Sequence, residues 1–193
     1  MPLEENTRNT ISNFIKFTDS EWLVISKDLI EKKIDKGEFL IKEGEYCNYI
    51  AFIDEGLLSY YYLVEGKKHI RGFFFANDFI SSYTSFLSDE KSKAYIQALE
   101  NTSMMLIHKD KLSQLYQKNS KFLQLGRMLT EHLFMLLSEK YEALLLKSPE
   151  ERYLSLIENK PNIIQNIPQY MIASYLGITP EALSRIRKRL TRK

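Results

Sequence analysis

The chain has 193 residues, of which 44% are hydrophobic and 27% are charged. This composition is typical of a soluble globular protein, and the length predicts one large domain or two modest ones. The single cysteine, Cys47, excludes a disulfide within the chain and a metal cluster held by cysteines alone. The sequence has no apolar run as long as a transmembrane helix, and its acidic start lacks the apolar core of a signal peptide. We therefore expect a cytoplasmic protein with no membrane partner.

The net charge of +2 is unevenly distributed. Residues 148–193 contain eight Lys or Arg and four Asp or Glu, a net charge of +4, so the rest of the chain carries −2. Six of the last nine residues are basic and none is acidic. A basic run alone is usually a solvated surface, so it becomes informative only beside a structural motif.

The first half of the chain is typical of a β-domain preceded by a short helix. Thr18 and Glu21 have the spacing of a capping box, which predicts a helix through about Lys27. From Ile30 to about Ile107, glycines separate short runs of β-branched and aromatic residues, and proline is absent. Residues 64–67 are typical of a hairpin turn in which Gly66 supplies a positive φ. Short strands separated by turns predict an antiparallel sandwich or barrel rather than βαβ units.

A helical period replaces the strand pattern after Asp110. Leucines at three- and four-residue steps predict a helix of about 25 residues, from Ser120 to Leu146. At about 1.5 Å per residue this helix is nearly 40 Å long, more than a small β-domain can cover. A long exposed apolar stripe needs a partner, which favours a homodimer over packing along its own domain. The residues expected at the dimer contact are Leu125, Leu129, Leu133 and Leu136.

A new helix is predicted immediately after Lys147. Ser148 is a suitable N-cap, Pro149 fits the first helical position, and Glu151 completes a capping box. The predicted fold class is therefore α+β. It comprises an N-terminal antiparallel, jelly-roll-like β-roll with flanking helices, a long dimerisation helix, and a C-terminal helical part.

The C-terminal part has the spacing of a helix-turn-helix. Pro168 can begin a helix, and Gly177 can end it in the left-handed conformation. Thr179 then caps a second helix, with Pro180 in its first position. A linking turn of three or four residues that contains glycine is the helix-turn-helix connection.

The second helix of this motif has two distinct faces. Leu183, Ile186 and Leu190 recur at three- and four-residue steps and are expected to face the core. The opposite face carries Glu181, Ser184, Arg185 and Lys188. A recognition helix enters the major groove of DNA with its N-terminal residues on the base edges.

Three of these residues suit direct reading of bases. The forked guanidinium of Arg185 matches guanine O6 and N7, and Glu181 can accept a hydrogen bond from the cytosine amino group. Ser184 can donate or accept. Alternatively, Glu181 is only a favourable charge at a helix N-terminus, and Arg185 only a solvated side chain. The residues expected to contact the DNA backbone are Thr179, Arg187, Lys188, Arg189 and Arg192.

The order of these parts resembles the Crp–Fnr family of bacterial transcriptional regulators over nearly the whole chain. Residues 36–45 and 53–56 are similar to the glycine-spaced turns of the family's cyclic-nucleotide-binding β-roll. Residues 172–179 are similar to its helix-turn-helix, and Glu-x-x-Ser-Arg at 181–185 to the base-reading pattern of one branch. The resemblance implies a homodimer on a palindromic operator. It also implies a sensor domain at 1–115, a dimerisation helix at 116–147 and a DNA-binding domain at 148–193.

The family's phosphate-binding cassette is altered in this chain. Members that bind cyclic nucleotide begin the cassette with Phe-Gly-Glu and end it with Arg-Ser/Thr-Ala. The corresponding segments are residues 76–79, with Asp78 near the Glu position, and residues 92–94, with Ser92 at the Arg position. Loss of the guanidinium removes a bidentate anion contact, so we do not expect ordinary cyclic AMP as the effector. An altered pocket is expected to use Asp78, Ser82, Thr84, Ser85, Lys91, Ser92 and Lys93.

The expected partners are double-stranded DNA, a second copy of the chain, an unidentified small-molecule effector and, for a regulator of this type, RNA polymerase. No cofactor or metal is expected, because His69, His108 and His132 lack the spacing of metal ligands. The chain also lacks a nucleophile–base pattern, so an enzyme is not predicted. Two alternatives stay open: a ligand-binding regulatory β-roll protein that acts without DNA, and, less favoured, a β-roll enzyme.

Overall fold

The structure is a computed structural model that describes residues 3–191. The N-terminal elements are α1 (Leu3–Ser12), α2 (Asp19–Ser26), β1 (Leu29–Ile34), β2 (Phe39–Ile41), β3 (Tyr49–Glu55), β4 (Leu57–Val64), β5 (Lys67–Phe75), β6 (Phe79–Ile80), α3 (Tyr83–Ser88), β7 (Tyr95–Ala98) and β8 (Thr102–His108). The helices that follow are α4 (Lys109–Lys118), α5 (Ser120–Leu146), α6 (Pro149–Asn159), α7 (Pro161–Asn166), α8 (Gln169–Tyr175) and α9 (Pro180–Leu190).

The strands form two four-stranded sheets, with the orders β1-β8-β3-β6 and β2-β7-β4-β5. The pairs β1–β8, β3–β8, β3–β6, β2–β7 and β4–β7 are antiparallel. Ala51 and Ile53 of β3 join the core between the sheets, whereas Ile50 and Phe52 join a second core under the helices. Successive side chains of a strand point to opposite faces, so both faces of β3 are buried. The predicted antiparallel β-roll is confirmed.

The second core joins the first sheet to helices α1, α2, α4 and the start of α5. Trp22 and Ile25 supply the buried face of α2, which begins at the predicted capping box of Thr18 and Glu21. The β3–β4 connection turns at Gly56, which has φ +100°. A Cβ at this position would lie 2.5 Å from the carbonyl oxygen of Asn101, so glycine is required there for both conformation and space.

The chain divides into two compact units. The first contains residues up to 62 and residues 73–131, and the second contains residues 63–72 and residues from 132 onwards. The second unit thus combines the tip of the β4–β5 hairpin with the end of α5 and with α6 to α9. In the hairpin turn, Gly66 has φ 74°, as predicted, and Glu65 has φ 50°. The division into functional domains at residues 115 and 147 stays a prediction.

Helix α5 has the predicted bounds, but the expected dimer stripe requires a correction. Leu125 and Leu129 are buried in the core of the first unit, against side chains such as Phe122, so they have no surface left for a partner. Farther along the helix, Leu133 is half-buried and Leu136 is 41% exposed. Apart from Leu123, which is 55% exposed, the large exposed apolar side chains of α5 lie beyond residue 131. They include Phe134, Met135, Leu137, Tyr141, Leu145 and Leu146.

Helices α6 to α9 share one small core. The capping box of Ser148 and Glu151 begins α6, as the sequence predicts. Helix α7 was not predicted from the sequence. The core contains Tyr153, Leu156, Ile163, Met171, Ile172, Ala173, Leu176, Leu183 and Ile186. No helix in residues 3–191 has the length and hydropathy needed to cross a membrane.

Candidate nucleic-acid interface and ligand cassette

Helices α8 and α9 are joined by a tight turn whose ends are both capped. Gly177 has φ 69°, and the amide of Ile178 donates to the carbonyl oxygen of Ala173 at 3.0 Å. This is the closing hydrogen bond of a glycine-terminated helix. The hydroxyl oxygen of Thr179 accepts from the amide of Ala182 at 3.2 Å and so caps α9. Both predicted caps are therefore present, and α9 begins at Pro180.

The faces of α9 divide as the sequence predicts. Leu183 and Ile186 are buried in the small core. Glu181, Ser184 and Arg185 are exposed near the start of the helix. The side chains expected to read bases are therefore together on one solvent-facing surface, which we call the reading face.

The carboxylate on the reading face is held in its ionised form. The pKa of Glu181 is lowered by a hydrogen bond from its own backbone amide, by the Thr179 hydroxyl, and by the positive charge of Arg185 one helical turn away. An ionised carboxylate accepts hydrogen bonds but does not donate them. At neutral pH the reading face therefore offers an acceptor at Glu181 and a forked donor at Arg185.

The residues expected to contact the DNA backbone differ in their surroundings. Lys188 is exposed, and Arg187 is half-buried. Arg189 lies on the exposed surface, but its Nη2 is 2.8 Å from Oε2 of Glu150 on α6. The Thr179 hydroxyl serves as a helix cap. Arg192 lies outside the described residues.

Arg152 of α6 holds two helix ends that adjoin the motif. Its guanidinium donates to the carbonyl oxygen of Leu176 at 3.0 Å and 3.2 Å, and to that of Lys147 at 2.7 Å. Carbonyl groups at helix C-termini carry partial negative charge, so a cation there is favourable. Sequence reasoning did not identify Arg152, because its partners are set by tertiary packing.

The tip of the β4–β5 hairpin is bonded to α8. The hydroxyl of Ser174 accepts from the amide of Ile70 at 3.0 Å and donates to the carbonyl oxygen of Lys68 at 2.8 Å. These partners are 104 and 106 residues apart in the chain, so no local pattern predicts them. The Ser174 hydroxyl therefore acts as both acceptor and donor toward the backbone of β5.

Lys140 of α5 lies beside this contact. Its Nζ donates to the carbonyl oxygen of Arg71 at 2.5 Å and lies 4.0 Å from the ring centroid of Tyr175. The pKa of Lys140 is lowered to about 8, mainly by burial and in addition by the positive charges of Arg71 and Lys160. Sequence reasoning also missed this residue.

Three of the seven cassette residues expected from the sequence come together inside the β-roll. Ser82, Ser85 and Ser92 are buried. The hydroxyls of Ser82 and Ser92 lie 2.8 Å apart, and Ser92 also bonds to both backbone groups of Ala94. The hydroxyl of Ser85 accepts from the amide of Cys47 at 3.0 Å and donates to the carbonyl oxygen of Glu90 at 2.5 Å.

The other four cassette candidates lie on the surface. Asp78, Thr84, Lys91 and Lys93 are exposed. The Asp78 carboxylate accepts from the amide of Phe75 at 2.8 Å and so stabilises the turn before β6. Among the described residues, the hydrogen-bond partners of these three buried serines are hydroxyls and backbone groups and include no cation. The three buried serines therefore offer no cation to an anionic ligand such as a cyclic phosphate, whose negative charge is best held by charged donors.

The rest of the described chain supplies no metal-ligand set, since residues 3–191 contain no group of three or more His, Cys, Asp or Glu side chains placed to bind an ion.

Comparison with known proteins shows which fold this chain shares. Residues 31–119 match the cyclic nucleotide-binding domain family, so the β-roll is similar to that class of domain. The chain also shares the fold of solved structures that include a Crp/Fnr-family protein, so the fold implied by the resemblance in the sequence is confirmed. No curated protein sequence matches the chain.

Three solved structures illustrate the shared fold. FixK2 from Bradyrhizobium japonicum has a TM-score of 0.73 and 19% identity, over 85% of each chain. A protein from Eubacterium rectale, described as a transcriptional regulator of the Crp/Fnr family, has a TM-score of 0.69 and 17% identity over 91% of this chain and 84% of its own. The c-di-GMP-responsive global regulator CLP from Xanthomonas campestris has a TM-score of 0.68 and 14% identity over 91% of this chain and 92% of its own.

Proposed function

We propose that this protein is a sequence-specific DNA-binding transcriptional regulator of the Crp–Fnr type. The observation that carries the proposal is the reading face on α9. This face lies on the second helix of a capped helix-turn-helix. Glu181, Ser184 and Arg185 are exposed near the start of that helix. Arg185 reads guanine, Glu181 accepts from cytosine, and Ser184 contacts either type of base. Lys188 and Arg187 contact phosphates, which supply affinity without sequence preference.

The active species in this proposal is a homodimer on a palindromic operator. The support is the exposed apolar face of α5 beyond residue 131, where Phe134 is 68% exposed and Tyr141 and Leu145 are each 64% exposed. Together with Leu137, these residues are spaced by three or four positions, so they lie on one side of the helix. Two copies of such a stripe bury each other in a coiled coil. RNA polymerase is a further partner in this proposal.

The effector in this proposal is not ordinary cyclic AMP. Within residues 3–191, the partners of Ser82, Ser85 and Ser92 include no cation, and Lys91 and Lys93 lie on the surface, which supports this part of the proposal. An anionic ligand in the cassette would have to displace hydrogen bonds that are already made.

Selection of bound DNA from a random pool, with the full chain, tests the proposal. We expect a palindromic consensus whose half-sites lie about one helical turn apart. Arg185→Ala should then lower affinity for the consensus by roughly 10- to 100-fold and relax base preference at one position of each half-site. Arg185→Lys keeps the charge and loses the fork, so it should recover affinity for unrelated DNA but not the base preference.

Two further results bear on the dimer and on the alternative functions. The double variant Phe134→Asp, Tyr141→Asp should sediment as a monomer and bind half-sites weakly. If Arg185→Ala changes neither DNA affinity nor base preference, a β-roll protein that acts without DNA becomes the better explanation. A shift of the consensus affinity on addition of cyclic AMP would contradict the proposed closure of the cassette.

A further inference from the structure

The basic end of α9 includes one arginine that has a carboxylate partner within its own unit. Nη2 of Arg189 is 2.8 Å from Oε2 of Glu150, the second residue of α6. The Arg189 side chain is 65% exposed, whereas that of Glu150 is only 29% exposed. The carboxylate is therefore partly enclosed, and the arginine extends to it across the surface.

The position of Glu150 is fixed independently of Arg189. It follows Ser148 and Pro149 in a helix start whose capping box is complete, and a carboxylate in the first turn of a helix is favoured by the helix dipole. Ser148, Glu150, Arg185, Lys188 and Arg189 line one cleft of about 690 Å³ between α6 and the reading face. Glu150 is therefore an anion placed inside the cationic surface that the proposed function assigns to DNA.

We infer that Glu150 pairs with Arg189, keeps it from contacting the DNA backbone, and so moderates the affinity of the protein for DNA. This inference rests on the proposed function. A cation contributes to salt-dependent binding when it releases the counterions condensed on a phosphate. Arg189 already has a fixed counterion in Glu150. Moving Arg189 to a phosphate would leave the Glu150 carboxylate uncompensated beside the DNA strand. Arg189 is thus a positioning residue that joins α9 to α6, and Lys188 is the phosphate contact of this turn.

The salt dependence of DNA binding by the full chain tests this inference, because each phosphate contact contributes about 0.9 to the slope of log affinity against log salt. Glu150→Gln should free Arg189 and make the slope steeper by about 0.9. Between 50 and 200 mM salt, its affinity should therefore fall about threefold more than that of the unchanged chain. The double variant Glu150→Gln, Arg189→Gln removes the ion pair as a neutral unit and should leave the slope unchanged.

Two controls separate this effect from a change in net charge. Glu158→Gln removes an exposed carboxylate from the same helix and should leave the slope unchanged. Lys188→Gln should make the slope shallower by about 0.9. The inference is overturned if the double variant lowers the slope by that amount, or if Glu150→Gln and Glu158→Gln behave alike. Absence of DNA binding by the unchanged chain would instead overturn the proposed function on which the inference rests.

Discussion

The cassette of the first unit and the reading face of the second unit both carry polar side chains where the Crp–Fnr resemblance places ligand contacts. In the cassette, the hydroxyls of Ser82, Ser85 and Ser92 are buried and bond to one another or to backbone groups. On the reading face, Ser184 and Arg185 face solvent. Serine hydroxyls are therefore bonded within the fold in the cassette, whereas the serine of the reading face is exposed to a partner.

This difference shows that position in a family motif does not by itself make a residue a binding residue. A buried polar group must have its hydrogen bonds satisfied, and once they are satisfied within the chain, a ligand gains nothing by replacing them. An exposed polar group loses bonds to water on binding and gains bonds to the ligand. The cassette serines should consequently affect stability, and the residues of the reading face should affect DNA binding.

The largest expected effect comes from restoring the arginine of the family cassette. Ser92→Arg places a cation at a site that is 3% exposed and breaks the hydrogen bond to Ser82. An uncompensated charge in such a site should lower the free energy of unfolding by about 3–5 kcal/mol, measured by urea denaturation. Because the cassette serines already bond within the chain, we expect that cyclic AMP does not raise the melting temperature of this variant. A rise with cyclic AMP would show that the cassette can still open around a phosphate.

A matched pair of serine substitutions should give smaller effects, one on stability and the other on DNA binding. Ser85→Ala leaves the buried amide of Cys47 without its acceptor, so the free energy of unfolding should fall by about 1–3 kcal/mol, with the affinity for DNA unchanged. Ser184→Ala lies on the exposed face of α9, where alanine favours the helix. Its stability should change by less than about 0.5 kcal/mol, while its affinity for the selected DNA falls. If both variants lose stability equally, the contrast between the two regions is not supported.

The features that could be predicted from the sequence are those fixed by local chemistry. The bounds of α5, the capping boxes at Thr18 and Ser148, and the left-handed Gly177 depend on residues within one or two turns of each other. The apolar period also predicts which face of α9 is buried, because Leu183 and Ile186 are spaced by three residues.

The features that could not be predicted depend on which elements meet in space. Periodicity indicates that α5 has apolar faces but not that the first unit covers Leu125 and Leu129. The serines of the cassette were expected to line a pocket, and only the fold shows that Ser82 and Ser92 bond to each other. The contacts of Ser174 with the hairpin tip likewise join residues more than a hundred positions apart.

The smallest expected effect concerns a buried cation in the second unit, in contrast to the neutral hydroxyls of the cassette. The groups that act on the ammonium of Lys140 are the cations Arg71 and Lys160, the carbonyl oxygen of Arg71 and the ring of Tyr175. Its pKa of about 8 is below the ordinary value of 10.5, so the unfolded chain binds more protons than the folded chain between these two pH values. The free energy of unfolding should therefore rise with pH from about 8 towards 10.5. For one proton the slope is at most about 1.4 kcal/mol per pH unit.

Urea denaturation at pH 8, 9 and 10 measures this slope, and the difference between the unchanged chain and Lys140→Met isolates the contribution of Lys140. The difference is needed because burial also lowers the pKa of Lys68, which acts in the same direction, and raises the pKa of Tyr175. Lys188→Met makes the same substitution at an exposed position, so its slope of unfolding free energy against pH should equal that of the unchanged chain. Equal slopes for the unchanged chain and Lys140→Met would mean that the ammonium stays protonated between Arg71 and Tyr175. The carbonyl of Arg71 and the ring of Tyr175 would then compensate for the burial of the Lys140 charge, as hydrogen bonds compensate for the burial of the serine hydroxyls in the cassette.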